Sequence, residues 1–498
     1  MERALGQTDQ RCARVPTFRV SLIPLPMDWI VLLPPILAIG LALTTRQVYL
    51  SLFAGLWLGT TILVGGNPLL GLRELADQMV AVFADAGNVR IVLFCLLVGG
   101  LIALVQASGG VAGFVEWAQR RGWGQTRRGA ELLAFFVGLS IFVESSITCL
   151  TTGAVARPFF DKLNLPREKL AFYCDATSAP VCMMIPLNGW GAYVLGLLAT
   201  QGVADDASIG LLAAGLGFNF FAWGAVLFAL FTAVTGWGFG PMRRAEIRAR
   251  ETGQLLRPGA TPLVSDEVSH LPPVERSPRS PIDLFLPILV LVAMVFIGLL
   301  ITGEGDLTAG SGSTSVLWAV GLSIGVAMIL YALPGRRILT LAQSTDLVLK
   351  GSAGLVGVTL LIVFAFALGQ VSRALEIGPF VASLMGDGIP GWLVAPVVFL
   401  LGCFVSFTLG SSWTGFAILV PIALPVAESL GLSPALMLGA VLSGGVFGDY
   451  CSPLSDTSII SSMSAAADHV DHVNTQLPYG LAIAGVSVVL FALAGALV

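Results

Sequence analysis

Long apolar runs follow one another through this chain and leave few folds open. A helix needs roughly 17–25 apolar residues to cross the hydrocarbon of a bilayer, and these runs lack the alternation of outer-membrane barrel strands. Only 11% of the residues are charged, against about 25% in a soluble domain. The sequence therefore predicts an all-α polytopic membrane protein with about 11–13 membrane segments. The apolar runs lie near residues 29–45, 48–65, 90–107, 131–160, 168–200, 208–238, 284–302, 315–333, 350–370, 393–430, 434–466 and 477–497.

The chain divides into two apolar halves joined by a polar segment. We expect a polar N-terminal tail over 1–28, a first transmembrane repeat over 29–240, an exposed linker over 241–281 and a second transmembrane repeat over 282–498. The linker has too few apolar residues to pack a core, so we expect an extended loop. Arginines favour the cytoplasmic side for the tail, the linker and the loop at 117–130. The protein should therefore be a multi-pass protein of the cell's inner (plasma) membrane, with its N-terminus and linker in the cytoplasm.

One polar stretch interrupts the apolar second half. It reads Gly-Asp-Tyr-Cys-Ser-Pro-Leu-Ser-Asp-Thr from Gly448 to Thr457. Carboxylates at membrane depth are costly and indicate a functional site, and Pro453 breaks the helix and frees backbone carbonyls. Carboxylate, hydroxyl and carbonyl oxygens are the ligands that a small hard cation prefers. The stretch predicts an ion site, although either aspartate could instead cap a helix.

A related pattern occurs in the first half. Ser145-Ser146-Ile147-Thr148 matches Ser411-Ser412-Trp413-Thr414, and each segment is followed by Asp-x-x-Ser with a nearby proline. The apolar arms around Ser145 are too short for full crossings and favour a re-entrant hairpin. Paired interruptions in two halves point to the binding site of a secondary transporter. We therefore predict two inverted-topology repeats with re-entrant hairpins and discontinuous helices. The alternative is that the Ser-Ser-x-Thr match arose by chance.

The two interrupted segments together give a candidate site. A carboxylate in a low dielectric has a raised affinity for protons, and a bound cation lowers that affinity. The same groups could therefore alternate between Na⁺ and H⁺. Glu144 could bind an ion or pair with Arg157, and Asn188 lies in a polar and aromatic cluster that could contact an organic solute. The expected Na⁺ ligands are Asp449, Asp456, Asp175, Ser411 and Ser412. Further candidate ion or substrate ligands are Glu144, Ser145, Ser146, Ser178, Asn188, Thr414, Ser452, Ser455 and Thr457.

Other clusters and function classes are less favoured. Arg157 and Asp161 suit a helix-end ion pair. His469 and His472 suit an interfacial polar turn that could sense pH. The chain has no Gly-x-x-x-x-Gly-Lys-Ser/Thr loop for an ATP-driven pump, and its histidines lie apart from the serine clusters that a hydrolase would need. We expect neither an enzyme nor a nucleic-acid partner, and no cofactor apart from Na⁺. A channel is less favoured than a transporter, because a channel would more plausibly line its pore with rings of residues.

The stretch from Gly448 to Thr457 resembles the Gly-Asp-x-x-Ser-Pro-Leu-Ser-Asp-Thr signature of the NhaC family of sodium/proton antiporters, in the ion transporter superfamily. The segment from Gly410 to Ile418 is similar to that family's Gly-Thr-Ser-Trp-Gly-Thr segment. The resemblance implies inverted repeats, two re-entrant hairpins, a transport domain and a scaffold domain, often with an elevator movement and often in a homodimer. It also implies sodium/proton exchange, although some relatives move amino acids or carboxylates.

Three positions depart from the family pattern. Tyr450 stands where many members have lysine, Ile459 stands near a position often held by asparagine, and Glu144 stands where a small residue is expected. The expected function is sodium/proton antiport at paired intramembrane aspartates. The alternative is sodium- or proton-coupled transport of a small organic solute, either an amino acid or a carboxylate. The expected partners are Na⁺, H⁺, the lipid bilayer, a second copy of the chain and, in the alternative, the solute.

Overall fold

The fold is all-helical throughout the part of the chain that the computed structural model describes. Eight of its helices are long and apolar enough to cross a membrane, or eleven spans if each sharply bent helix pair counts as one. Eleven spans would agree with the lower end of the predicted range of about 11–13. The predicted polar tail over 1–28 lies outside the described residues. The structure describes residues 29–45, 47–121, 124–142, 144–262, 280–307, 310–334, 338–377, 379–380 and 390–497.

The helices follow the two halves of the sequence. Those of the first half, with the segment after it, are α1 (Leu33–Thr45), α2 (Val48–Leu63), α3 (Pro68–Ala81), α4 (Ala86–Ala107), α5 (Gly110–Arg120), α6 (Arg127–Ser140), α7 (Ser145–Lys162), α8 (Arg167–Ala176), α9 (Ala179–Met184), α10 (Gly189–Thr200), α11 (Asp205–Gly217), α12 (Phe220–Thr235) and α13 (Gly240–Thr252). Those of the second half are α14 (Ile282–Thr302), α15 (Gly312–Ala332), α16 (Leu341–Gly354), α17 (Val356–Ala374), α18 (Val394–Leu409), α19 (Ser412–Leu430), α20 (Pro434–Cys451), α21 (Asp456–Ser464) and α22 (His469–Leu497).

Two helical hairpins and two broken helices pack together. The first hairpin is α6 and α7, which pack on each other and turn between Ser140 and Ser145. The second hairpin is α18 and α19, joined through Gly410 and Ser411. The broken helices are α8–α9 and α20–α21, and α21 packs on α7 and α8 while α20 packs on α9, α18 and α19. We call these hairpins and broken helices, with α12 and α22, the hairpin group.

The remaining long helices pack mainly among themselves. Helix α4 packs on α15 and α16, α14 packs on α15, and α2 packs on α1, α3 and α17. Helix α10 connects this outer group to the hairpin group, because it contacts α4 and α17 on one side and α19 on the other. The hairpins therefore face a wall formed by α4 and α17.

Each hairpin lies close to a break. A Cβ built at Gly138 on α6 would lie 1.8 Å from Thr177 Oγ1, in the break between α8 and α9. A Cβ built at Gly410, which ends α18 with a φ of 65°, would lie 2.6 Å from the backbone of Leu454 in the break between α20 and α21. Only glycine permits both this left-handed conformation and this close approach. Both hairpins thus contact the broken helix of their own half.

The segment predicted as an extended, exposed loop begins with a helix instead. Helix α13 packs on α8 and α22 and buries Met242, Ala245 and Ala249, which lie three and four residues apart on one face. This spacing places small and apolar residues on a single stripe despite the many arginines between them. The expectation of an extended loop was therefore wrong for residues 241–252. Most of the remaining linker, 263–279, lies outside the described residues.

Buried charges attach α13 to the rest of the molecule. Lys169 on α8 is 2% exposed, and its Nζ lies 2.9 Å from Glu131 Oε1 on α6 and 2.6 Å from Glu246 Oε1 on α13. The Tyr173 hydroxyl also donates to Glu131 Oε2 at 3.0 Å. One lysine therefore joins three helices at the end of the hairpin group.

The ion pair expected between Arg157 and Asp161 is also different in the structure. Asp161 instead accepts hydrogen bonds from Nε and Nη2 of Arg167, each at 3.1 Å. The Arg167 guanidinium donates to both carboxylate oxygens of Asp161, and such a bidentate pair is stronger than a single hydrogen bond. Asp161 therefore ties the end of α7 to the start of α8.

Candidate functional site

A cavity of about 350 Å³ lies where the two hairpins and the α20–α21 break face α4. Three carboxylates reach it, Glu144, Asp449 and Asp456, one from each of three separate segment ends. The other residues that line it are Cys95, Val98, Ile102, Ser145, Ser146, Gly189, Trp190, Leu355, Gly410, Ser411, Trp413 and Leu454. The cavity therefore collects residues that lie more than 300 positions apart in the sequence.

The side chain of Asp449, a residue of α20, forms hydrogen bonds with the first residue of α19. It is 2% exposed, and its Oδ1 accepts a hydrogen bond from the Ser412 backbone N–H at 3.1 Å. Its Oδ2 accepts a second hydrogen bond from the Ser412 hydroxyl. The positive end of a helix favours a nearby negative charge, so α19 stabilises the ionised carboxylate of Asp449.

Glu144 has a matching position in the first hairpin. It is the N-cap of α7, and its Oε2 accepts the Ile147 N–H at 2.9 Å. Its Oε1 accepts hydrogen bonds from the hydroxyls of Ser146 at 3.0 Å and Ser145 at 3.3 Å. Of the two interpretations of Glu144, the geometry favours a carboxylate at the cavity over a partner for Arg157. A carboxylate therefore lies at the N-terminus of the second helix of each hairpin: Glu144 from the first hairpin itself, and Asp449 from α20.

Asp456 completes the acidic side of the cavity. It is the first residue of α21, and its Oδ1 accepts the backbone N–H of Thr457 at 2.8 Å. Both Asp456 and Asp449 line the cavity, but Asp456 is exposed whereas Asp449 is buried. In the part of the chain that the structure describes, no three His, Cys, Asp or Glu side chains are close enough to form a metal cage.

Asp175, the expected counterpart of Asp449, does not line the cavity. It is fully buried, and its Oδ2 accepts hydrogen bonds from Ser458 Oγ at 2.8 Å and from Gln476 Nε2 at 2.7 Å. The Nε2 of His472, also fully buried, lies 3.4 Å from the same oxygen without forming a hydrogen bond. The other carboxylate oxygen, Oδ1, has no partner among the described residues.

The partners of Asp175 also hold the end of α20. Ser458 Oγ lies 3.1 Å from the carbonyl oxygen of Asp449, and Gln476 Nε2 lies 2.5 Å from that of Tyr450. The last carbonyls of a helix have no partner within the helix, so these side chains supply one. Asp175, from the first half, therefore supports the break that carries Asp449 in the second half.

Several predicted ligands are engaged within the breaks. Ser178 Oγ donates to the Asp175 carbonyl at 2.8 Å, and Ser452 Oγ accepts the Leu454 N–H at 3.1 Å. Ser455 and Thr457 share a hydrogen bond of 2.9 Å between their hydroxyls. None of these four hydroxyls is among the groups that line the cavity, nor is that of Thr414, which is buried without a partner among the described residues.

Asn188 has no free polar atom for a solute. Its amide nitrogen donates to the carbonyls of Phe142, Cys182 and Ile185 at 2.7–3.0 Å, and its Oδ1 accepts the N–H groups of Trp190 and Gly191. The side chain thus caps α10 and fixes it to the first hairpin. The aromatic part of the predicted cluster does reach the cavity, through Trp190.

Sequence reasoning missed the groups around Asp175. His472 was expected in an interfacial polar turn, but it is fully buried on α22. Gln476 and Ser458 belong to no motif, although Ser458 directly follows the stretch from Gly448 to Thr457. The signal that could have identified them is the four-residue spacing of His472 and Gln476, which places both on one face of a helix.

Helical hairpins, broken helices and a shared polar cavity are typical of a secondary transporter. A family model described as "Na+/H+ antiporter family" matches residues 181–496. The chain belongs to that family, as its resemblance to NhaC-type antiporters indicated.

Individual relatives agree with this class. An uncharacterized protein of Haemophilus influenzae is 34% identical over 475 residues, which cover 91% of this chain and 88% of the relative. The Na(+)/H(+) antiporter NhaC of Alkalihalophilus pseudofirmus is 32% identical over 21% of this chain and 23% of its own length. The malate-2H(+)/Na(+)-lactate antiporter of Bacillus subtilis is 32% identical over 23% of this chain and 28% of its own length.

The fold has a counterpart among solved structures. Neisseria gonorrhoeae MtrF, described as illuminating a class of antimetabolite efflux pumps, aligns with a TM-score of 0.54 over 85% of this chain and 84% of MtrF. The two sequences are 15% identical, so this likeness concerns the fold alone.

Proposed function

We propose that the protein exchanges Na⁺ for H⁺ at the cavity between its two hairpins. The observation that carries this proposal is the convergence of Glu144, Asp449 and Asp456 on one small cavity. A cation and protons would compete for these carboxylates, because each lowers the affinity of the site for the other. Ser411, Ser145 and Ser146 supply further oxygen atoms on the same cavity, whereas Asp175 and Asn188 position the segments that carry it.

Exchange is tested with purified protein in liposomes that contain a pH-sensitive dye. A pulse of NaCl should drive protons out of the vesicles without any organic solute, and a pulse of choline chloride should not. The absence of a sodium-dependent pH change would contradict exchange.

A second candidate is coupled transport of a small organic carboxylate or amino acid. It is favoured by the aromatic wall of the cavity, where the Trp190 and Trp413 rings are 5.4 Å apart and Tyr193 lies 4.7 Å from Trp413. The volume also lies within the roughly 300–1,000 Å³ of small-molecule sites, and one relative is a malate/lactate antiporter. A pH change that requires added malate, lactate or arginine would support this candidate over simple exchange.

The proposal includes an arrangement for the whole protein. The two hairpins, each near the break of its own half, suit inverted repeats, and the cavity between the hairpin group and the outer group suits an elevator movement. The arginine-rich segments suit a cytoplasmic N-terminus and linker in the inner membrane. A homodimer belongs to the same proposal, and cross-linking in native membranes would test it.

A further inference from the structure

A second polar cavity lies at the end of the hairpin group and shares no lining residue with the first cavity. Its volume is about 240 Å³, which corresponds to about eight water molecules. It is formed where α6, α8 and α13 meet the end of α12. Five basic side chains line it, Arg127 and Arg128 on α6, Lys169 on α8, and Arg243 and Arg250 on α13.

The acidic residues of this second cavity are already paired. Glu131 and Glu246 also line it, and their Oε1 atoms lie 2.9 Å and 2.6 Å from the Lys169 Nζ. Arg243 lies 3.5 Å from the other oxygen of Glu246, so two basic and two acidic side chains balance one another. The remaining basic residues are all arginines, and they leave the cavity with an excess of positive charge.

Two of the remaining arginines have no partner in the part of the chain that the structure describes. Arg128 and Arg250 are exposed, and neither forms a hydrogen bond or an ion pair with a described residue. Arg127 uses Nη2 for a hydrogen bond to the Asn164 carbonyl at 3.0 Å. Guanidinium groups bind phosphate oxygens in a two-pronged geometry. These side chains can therefore bind an anion without breaking an existing ion pair.

The backbone adds to the positive potential of the cavity. Helix α6 begins at Arg127, and Pro166, which lines the cavity, is the N-cap of α8. The N-terminal end of a helix carries a partial positive charge and favours phosphate. Orientation in a membrane requires only that basic residues lie on one side of it, whereas here arginines from two helices more than 100 positions apart line one space.

The cavity lies next to the lipid-facing surface. Thr235, the last residue of α12, and Gly236 form part of its wall. The neighbouring Phe231, Val234 and Trp237 are about half exposed, and tryptophan is enriched where a membrane meets water. Basic pockets between membrane helices on the cytoplasmic side bind phosphorylated head groups. The position of the cavity therefore suits a ligand at the depth of the head groups.

We propose that this second cavity binds a phosphate group, with Arg128 and Arg250 as its two-pronged donors and Arg127 beside them. The head group of an anionic phospholipid carries this chemistry at the right depth, and inorganic phosphate carries the same chemistry from solution. A bound phosphate would join α6 to α13 across the cavity, in addition to the ion pairs of Lys169. The inference does not depend on the cargo of the cavity between the hairpins.

The test counts the lipid bound to the full-length protein. The protein in a neutral detergent is mixed with equal amounts of phosphatidylglycerol and phosphatidylcholine, and bound lipid is counted by native mass spectrometry. The wild type should bind phosphatidylglycerol in preference, and Arg128→Gln/Arg250→Gln should lower that binding by about fivefold or more. Arg73→Gln/Arg120→Gln is the matched control, because it removes the same charge at two exposed arginines of α3 and α5.

A competition experiment identifies the source of the phosphate. Millimolar sodium phosphate is compared with sodium chloride of equal ionic strength. If phosphate displaces phosphatidylglycerol and raises the unfolding temperature of the wild type but not of the double variant, the site takes free phosphate. If phosphatidylglycerol stays bound, the site takes the lipid head group. Either result supports a phosphate site at these arginines.

The proposal is overturned if the double variant and the control variant bind phosphatidylglycerol equally and respond equally to phosphate. An equal loss of phosphatidylcholine in the double variant would also overturn it, because the lost lipid would then be nonspecific. Arg128→Gln and Arg250→Gln alone should each lower the binding as well, so the single variants decide the question if the double variant does not fold.

Discussion

Asp449 offers the most direct test at the scale of single residues. Asp449→Asn keeps the shape of the side chain and can still accept the Ser412 N–H, but it removes the negative charge that a cation needs. We expect sodium-driven proton movement in liposomes to be lost while the protein elutes normally in size-exclusion chromatography. Asp346→Asn is the matched control, because Asp346 is exposed and pairs with Lys350 on the surface of α16. Wild-type exchange in Asp449→Asn would remove this carboxylate from the mechanism.

Gln476 tests the support beneath the cavity. Gln476→Ala leaves Asp175 and the Tyr450 carbonyl without their shared donor, both in a fully buried setting. An unpaired buried polar group costs about 1–3 kcal/mol, so we expect a lower thermal unfolding temperature. Asn474→Ala serves as the control, since Asn474 is an exposed amide on the same helix. Equal unfolding temperatures for the two variants would show that the bonds around Asp175 contribute nothing to stability.

The sequence predicted the carboxylates of the cavity better than the groups around them. Asp449 and Asp456 belong to a recognisable polar stretch, and Glu144 precedes a hairpin turn, so each was visible as a charge in an apolar setting. Asn188 was visible as a polar residue in an apolar setting, yet backbone groups occupy its whole amide. The partners of a buried side chain depend on tertiary packing, and no spacing rule in one sequence gives them.

At the scale of elements, two ion pairs attach α13 to α8: one through Lys169 and Glu246, the other between Arg248 and Glu168 at 2.8 Å. Lys169→Met leaves Glu131 buried without a countercharge and leaves Glu246 paired with Arg243, 3.5 Å away, and removing one partner of a buried ion pair costs about 3–5 kcal/mol. We expect a lower unfolding temperature and faster trypsin cleavage after Arg248 or Arg250, because α13 would detach from α8. Lys350→Met, at an exposed pair on α16, should change neither.

A rescue experiment separates charge from packing at the same place. In Lys169→Met/Glu131→Gln/Glu246→Gln the buried charges are gone together, and such replacements are often neutral or stabilising. Recovery of the unfolding temperature would assign the defect to unpaired carboxylates. A triple variant as unstable as Lys169→Met would instead mean that the lysine side chain acts through its packing.

Helix α13 also shows why a linker was harder to predict than a membrane span. Its mean character is polar and basic, which is typical of an exposed loop, while its folding depends on three small or apolar residues on one face. The membrane helices need no such partner information, because length and hydropathy alone place them in the bilayer. The sequence therefore predicted helices well within the membrane, and less well where the chain meets water.

At the scale of the whole molecule, the repeated Ser-Ser-x-Thr and Asp-x-x-Ser pattern predicted the two hairpins and breaks but not how the halves meet. Both hairpins and the second break reach one cavity, whereas the first break supports it from behind through Asp175. Asp175 and Asp449 therefore have different surroundings, since Asp449 lines the cavity and Asp175 does not. Which break faces the outer wall depends on how α4 and α17 pack, and the polar motifs carry no information about that wall.

The natural thiol of Cys95 reports whether the cavity between the two groups opens. Cys95 lies on α4 in the outer group, lines the cavity and is 2% exposed, so a thiol reagent reaches it only when the groups separate. Two variants are compared, one that keeps only Cys95 and one that keeps only Cys403, with the remaining cysteines replaced by serine or alanine. Saturating Na⁺ should slow the modification of Cys95 by maleimide at least about threefold, because a bound cation closes the hairpins. The same Na⁺ should have no effect after Asp449→Asn. Cys403 on α18, buried but outside the cavity lining, is the control thiol and should react at one rate with or without Na⁺. Sodium-independent modification of Cys95 would mean that cation binding and movement of the hairpin group are not coupled.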